Sequence, residues 1–183
     1  MNKRVLLAVG GGIAAYKSAI LCSRLVQSGC EVKTMMTSSA TEFLGPATLA
    51  ALSGHPVGIH SFAPQQFPLG AHIELPRGID LFLVAPATAN LLAKFAGGLA
   101  DCLVSATYLQ SVAPVLLAPA MSDPMWSKRP VQRNVETLRN DGCHFVGPES
   151  GWLSCRDEGM GRMSEPDAIL TAAMEILDAS DRL

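Results

Sequence analysis

KRVLLAVGGGIAAYKS (residues 3–18) runs from two cationic side chains into an unbroken apolar stretch at 5–9 and then into three glycines. A short, uniformly apolar run bounded in this way is the pattern of a strand covered on both faces, as strands of a parallel sheet are. After the glycines, Ile13, Ile20, Leu21, Leu25 and Val26 recur near helical spacing until Ser28-Gly29 stops the helix. The alternation continues: a strand at 31–36, a short apolar helix at 47–52, a doubly covered strand at 81–84 and helices at 89–95 and 103–109. A strand at 115–118, a helix at 131–139, a fifth strand at 144–146 and a closing helix at 167–177, packed back on the sheet, complete it. Residues 54–78, with prolines at 56, 64, 68 and 76 and little periodicity, read mainly as loop. Strands alternating with helices imply parallel crossover units. The expected fold is therefore α/β, a three-layer, Rossmann-like parallel sheet with helices on both faces, in a single domain over 1–183.

Composition narrows the function. A chain of 183 residues suits one domain, which at this size buries roughly 70% of its unfolded surface. Only 16% of residues are charged against 49% hydrophobic, more apolar surface than a lone monomer hides comfortably, so a homo-oligomer is expected. A net charge of −2 without any Lys/Arg cluster removes the electrostatic footprint that nucleic acid or an anionic membrane requires. A small molecule is the expected partner. The N-terminal apolar run is broken by Gly10 to Gly12 and followed by Lys17, which does not suit a signal peptide, and no stretch supplies about 18 consecutive apolar residues. A soluble, cytoplasmic protein is expected. Cys22, Cys30, Cys102, Cys143 and Cys155 are odd in number and lack C-x-x-C spacing, so reduced, mostly buried thiols are expected rather than a disulfide framework or a metal site.

An open parallel sheet binds ligands beyond the carboxyl ends of its strands. The first such loop, Gly10-Gly11-Gly12-Ile13-Ala14-Ala15, lets backbone approach a ligand and opens a helix whose free N–H groups suit an anion. It matches G-x-G-x-x-A. A dinucleotide site would also need an acid after the second strand, where this chain has Thr37-Ser38-Ser39. Hydroxyls there suit a phosphate, although a tight turn without ligand also satisfies the glycines alone. The third loop, Ala85-Pro86-Ala87-Thr88-Ala89-Asn90, brings Thr88 and Asn90 to a helix start, where N-capping and ligand binding compete. The fourth, Ala118 to Trp126, repeats the Ala-Pro-Ala exit and adds Met121, Ser122, Asp123 and Met125.

Pro86-Ala87-Thr88-Ala89-Asn90 is similar to the P-A-S-A-N motif, and Pro119-Ala120-Met121-Ser122-Asp123-Pro124-Met125-Trp126 to the P-x-M-N-x-x-M-W motif, of the homo-oligomeric flavin-containing cysteine decarboxylases. Gly151-Trp152-Leu153-Ser154-Cys155 with Gly159-Met160-Gly161-Arg162-Met163 resembles the substrate flap and active cysteine of one branch of that family. That branch decarboxylates 4′-phosphopantothenoylcysteine to 4′-phosphopantetheine in coenzyme A synthesis. The peptide-modifying branch generally lacks the cysteine. The resemblance implies a flavodoxin-like sheet and FMN, with its phosphate near Gly11, Gly12, Ile13 and Ser39, Ala87, Thr88, Ala89 and Asn90 beside the isoalloxazine, and Thr37 and Phe43 among the further cofactor contacts. It implies His72 and Cys155 as catalytic groups, Met121, Ser122 and Arg162 as substrate contacts, and no metal. It also implies a trimer, or a dodecamer of trimers, with flavin sites between subunits. Ser122 stands where the family has asparagine, which keeps two further readings in view: oxidative decarboxylation of a peptide's C-terminal cysteine, and a flavin-binding interaction protein without turnover.

Overall fold

The computed structural model describes residues 3–180, so the ends of the 1–183 range lie outside the described residues. Its centre is the strand expected from the opening stretch, β1 (Arg4–Val9), flanked by β2 (Glu31–Met36) and β4 (Leu81–Ala87). The full order is β3-β2-β1-β4-β5-β6, all neighbours parallel, with β3 at Val57–Gly58, β5 at Val115–Pro119 and β6 at His144–Phe145. Every residue of β4 is buried, as is all of β1 after Arg4. That is the physical reason both strands read as continuous apolar runs.

Side chains alternate between two cores. Val5, Leu7 and Val9 join Leu21, Leu25, Ile169 and Leu177 on one face, beneath α1 (Ala15–Gln27) and α8 (Pro166–Ser180). Leu6 and Ala8 join Leu91, Leu92, Val104 and Leu138 on the other, beneath α4 (Ala89–Ala96), α5 (Leu103–Gln110) and α7 (Arg129–Asn140). Because the chain steps outward from β1 through β2 to β3 and then returns to β4 on the opposite side of β1, the order reverses between β1 and β4. A crevice opens there, beyond the strand ends. Gly10 lies in its floor, donating from its N–H to the Pro86 carbonyl at 3.2 Å. A Cβ on Gly10 would lie 2.3 Å from that oxygen, so only glycine lets these two loops meet.

Three features depart from the sequence expectation. The sheet has six strands rather than five, because the segment read as loop contains β3, whose two residues pair with Thr34 and Met35. The same segment holds a one-turn helix, α3 (Ala71–Glu74), besides α2 (Pro46–Ser53) before it. Beyond the sheet, β7 (Glu149–Trp152) and β8 (Glu158–Arg162) form an antiparallel hairpin over the segment identified as a flap. α8 closes the chain against α1, with Arg24 paired to Asp167.

Candidate active site

A cavity of about 630 Å³ lies above the carboxyl ends of β1, β4 and β5 and is roofed by the β7–β8 hairpin. Its floor includes Gly11, Gly12 and Ile13, with Ser39 beside them. Thr37 ends β2 and caps a short 3-10 turn, Ser38–Glu42, by accepting from the Ala40 N–H at 3.2 Å, and its hydroxyl lies 3.1 Å from that of Ser39. A Cβ on Gly11 would stand 2.1 Å from Ser39 Oγ. Glycine at 11 therefore admits the serine hydroxyl over the loop, next to the start of α1, whose first residue has no side-chain cap. A hydroxyl, close backbone and an uncapped helix start form a cradle that fits a phosphate. Across the crevice, Thr88 caps α4 by accepting from the Leu91 N–H at 3.3 Å while still lining the cavity, so capping and lining coincide. Ala89 and the exposed Asn90 extend that wall.

The wall above β5 is built differently. Ser122 begins a one-turn helix, α6 (Asp123–Trp126), through its carbonyl, which accepts from the Met125 and Trp126 N–H groups at 3.0 Å each. Its side chain makes no cap hydrogen bond, and Ser122 lines the cavity together with Met121 and Met125. Asp123 lies outside the cavity lining: its Oδ1 accepts from the Met160 N–H at 3.2 Å and so holds the roof. Two of the hairpin's glycines, both in β8, serve the same close approach. A Cβ on Gly159 would lie 2.7 Å from Asp123 Cβ, and one on Gly161 2.2 Å from the Met121 carbonyl oxygen.

Cys155 sits in the hairpin's turn, where the Arg156 N–H donates to the Leu153 carbonyl at 2.9 Å and the Leu153 N–H to that of Asp157 at 2.8 Å. It is exposed and faces the cavity, whereas Cys22, Cys30 and Cys143 are buried and Cys102 half-buried. Burial pushes the Cys22 thiol up to about 11. All five cysteines are free, in keeping with reduced thiols. Arg162, at the end of β8, also lines the cavity and pairs with Glu165.

Of the residues singled out from the sequence, Gly11, Gly12, Ile13, Ser39, Thr88, Ala89, Asn90, Met121, Ser122, Cys155 and Arg162 share this one cavity. Four others lie outside its lining. Thr37 acts through Ser39, Ala87 is wholly buried at the end of β4, Phe43 is exposed after the 3-10 turn, and His72 is half-buried on α3. Sequence reasoning missed Lys17, which lines the cavity at 5% exposure. The signal was there: Lys17 lies four residues before Leu21 on the buried stripe of α1, where a charge needs a partner. Among the described residues, no group of three or more His, Cys, Asp or Glu side chains could hold a metal ion, and no helix is long and apolar enough to cross a membrane.

Comparison with known proteins places this geometry. The chain is 45% identical over 172 residues to the coenzyme A biosynthesis bifunctional protein CoaBC of Bacillus subtilis (strain 168), covering 94% of this chain and 42% of that protein. It is 39% identical over 182 residues to the Haemophilus influenzae CoaBC, covering 46% of it, so the chain spans less than half the length of these relatives. Among solved structures, a PPC decarboxylase mutant complexed with pantothenoylaminoethenethiol superposes with a TM-score of 0.85 at 31% identity, covering 97% of this chain and 100% of that one. The FMN binding protein AtHal3 superposes at 0.83 with 31% identity, covering 98% of each chain. The FMN-dependent cysteine decarboxylase SpaF superposes at 0.77 with 34% identity, covering 93% of this chain and 97% of that one. A sequence model of the Flavoprotein family matches residues 1–177, and the chain belongs to that family.

Proposed function

We propose that this chain, folded as one domain over 1–183 and working in the cytoplasm, is an FMN-dependent decarboxylase that converts 4′-phosphopantothenoylcysteine to 4′-phosphopantetheine. The observation that carries the reading is the meeting, in one cavity, of the Gly11–Ser39 phosphate cradle with the Cys155 turn of the roof. Gly11, Gly12, Ile13 and Ser39 hold the FMN phosphate, with Thr37 fixing Ser39, while Thr88, Ala89 and Asn90 flank the ring system.

A cysteine carboxylate does not leave unaided, because the carbanion left behind has nowhere to delocalise. Bound FMN would supply the missing electron sink, taking two electrons from the thiol-bearing carbon so that carbon dioxide can leave from a sulfur-stabilised enethiolate, and returning them afterwards. The protein's part is placement and proton delivery. The uncommitted Ser122 hydroxyl donates to the substrate carboxylate, and Met121 packs on its stem. Arg162 supplies a cation at the same wall. Cys155 protonates the enethiolate from above, before the two electrons are returned, and the hairpin closes over the bound substrate.

The functional unit is a homo-oligomer, a trimer or a dodecamer of trimers. His72 and Phe43 lie outside the lining of their own cavity, and Ile13, Tyr16 and Ile20 are exposed at its rim and along α1, which suits completion of each site by a second copy. Ser122 stands where the family has asparagine, the observation favouring a changed substrate, peptides ending in cysteine, as a second reading. Cys155 in the roof argues for the first.

The test is a flavin-loaded preparation given 4′-phosphopantothenoylcysteine. Carbon dioxide and 4′-phosphopantetheine are expected from the wild type, and accumulation of the oxidised enethiol from Cys155→Ser. Loaded protein that neither consumes this substrate nor forms the enethiol overturns the reading. Turnover of cysteine-ending peptides alone selects the second.

A further inference from the structure

We infer that Glu165, outside the cavity lining, is a positioning residue that sets Arg162 for substrate by sharing one carboxylate oxygen between Arg162 and Lys17. The inference rests on the proposed decarboxylase reading and goes beyond it in naming what holds the substrate-facing cation. Glu165 Oε1 accepts from Lys17 Nζ at 2.9 Å and from the Arg162 guanidinium. Lys17 comes from α1, 148 residues away in sequence, and donates also to the Met163 carbonyl at 3.1 Å. Arg162 comes from the end of β8, in the roof. Both cations line the cavity, one fixed in the floor and one carried by the hairpin.

The arrangement has a definite electrostatic logic. Two cations drawn to one carboxylate leave a net positive charge on the cavity wall, which complements an anionic substrate. Without the carboxylate the cations repel, Lys17 keeps only a carbonyl partner, and Arg162 loses the contact that fixes its fork. Glu165 is itself anchored independently of the hairpin, since its carbonyl accepts from the Ile169 N–H at 3.1 Å in the first turn of α8. It is thus a post at the start of α8 to which the Arg162 side chain of the hairpin is tied. The other ties of β8, Met121 N–H to Gly161 carbonyl at 3.0 Å, Met160 N–H to Asp123 and the pairing of Arg162 with Glu149 of β7, hold its backbone and leave the Arg162 guanidinium to Glu165.

The experiment is a double-mutant cycle on the flavin-loaded protein. Glu165→Gln is expected to lower kcat/KM by on the order of ten- to a hundredfold, mainly through KM, with flavin content unchanged, because an orienting contact is lost rather than the cofactor cradle. In an Arg162→Ala background the same substitution is expected to cost less than about threefold, the sign of two groups acting through one another. Equal penalties in both backgrounds overturn the inference. Hydrogen exchange gives a readout independent of turnover: amides of 158–162 are expected to exchange faster in Glu165→Gln, and unchanged protection there also overturns it. Should Glu165→Gln fail to fold, Glu165→Asp keeps the charge but falls one methylene short of spanning both cations, and is expected to raise KM in the same direction. A wild type without turnover but with Glu165-dependent protection of 158–162 refutes the decarboxylase reading and leaves the tie standing.

Discussion

Gly11→Ala tests the cofactor cradle without removing a single polar group. The new Cβ would lie 2.1 Å from Ser39 Oγ, 2.5 Å from Ser39 Cβ and 2.8 Å from the Ser39 carbonyl carbon. Non-bonded carbons rest at about 3.5–4.0 Å, so rotation of the hydroxyl relieves only the first overlap and the backbone of the 37–42 turn must move by about an ångström. Overpacking of this kind costs about 1–3 kcal/mol, and for a domain of this size each kcal/mol lowers Tm by about 2–4 °C. Calorimetry of the flavin-free protein should therefore show a Tm lower by about 2–12 °C. With FMN held as proposed, the displaced Ser39 also loses a hydrogen bond to a charged phosphate, worth about 1.5–3 kcal/mol, which raises the FMN Kd by about ten- to over a hundredfold. Fluorescence titration with FMN reads that directly.

Gly12→Ala is the internal control. Its Cβ meets only Thr88 Cγ2, at 3.8 Å, an ordinary contact, so the stability of the flavin-free protein should stay within ~0.5 kcal/mol of wild type. Gly11→Ala with Ser39→Gly removes the Oγ and Cβ overlaps but not that with the carbonyl carbon, so it should recover part of the Tm and none of the FMN affinity. A Gly11→Ala protein that melts with wild type, or a Gly12→Ala protein that falls as far, refutes the steric account of the cradle.

Gly161→Ala should free the roof, because position 161 has φ +133 and its Cβ would stand 2.2 Å from the Met121 carbonyl oxygen; faster hydrogen exchange through 158–162 with FMN affinity retained is the expected result. Ser122→Asn should raise kcat/KM by about tenfold, the size of one added hydrogen bond, and a fall would mean that the cavity is fitted to serine. The hydrogen bond from Lys17, with Arg162 beside it, holds the Glu165 carboxyl below the usual carboxylate range. Its contribution to stability is then complete above the unfolded-state pKa of about 4.3 and is lost as pH falls through the folded value, so the Tm gap between wild type and Glu165→Gln should close only under acid conditions and stay constant between about pH 6 and 9.

How far the sequence reveals the molecule depends on whether its signals are local. β1 and β4 are legible because burial on both faces demands unbroken apolar runs, and α1 because its buried stripe repeats at helical spacing. β3 is not, since two residues paired to Thr34 and Met35 carry no period. The hairpin escapes for another reason: Gly151, Gly159 and Gly161 occupy strand positions for close approach, not for alternation, so the pattern that identifies a strand is missing. In the site, the cradle is legible as a glycine run before a helix and the flap as a motif. The Lys17–Glu165–Arg162 cluster is not, because its partners converge only through the docking of α8 on α1. His72 and Phe43 are legible as residue types at motif positions, but a single chain does not bring them to its own cavity.

The two halves of the cavity are held by different forces, and this determines how substitutions divide. The floor rises from strands buried throughout β4 and from Val5 onward in β1, so its loops rest directly on the packed core. The roof has few buried residues, Leu153 and Gly161 among them, and is tied down by a handful of polar contacts at Met121, Asp123 and Glu165. Elements with little buried area and few ties open at a small fraction of the global unfolding energy. Cofactor retention should accordingly follow global stability, whereas substrate capture and protonation by Cys155 should follow the hairpin alone. A substitution such as Leu83→Ala, in the core, removes about 2–5 kcal/mol and should weaken FMN binding only where the fold itself begins to fail. Gly161→Ala, in the roof, should leave the flavin bound while turnover falls. One substitution that moved both in proportion would show that roof and floor are a single cooperative unit, contrary to what their packing implies.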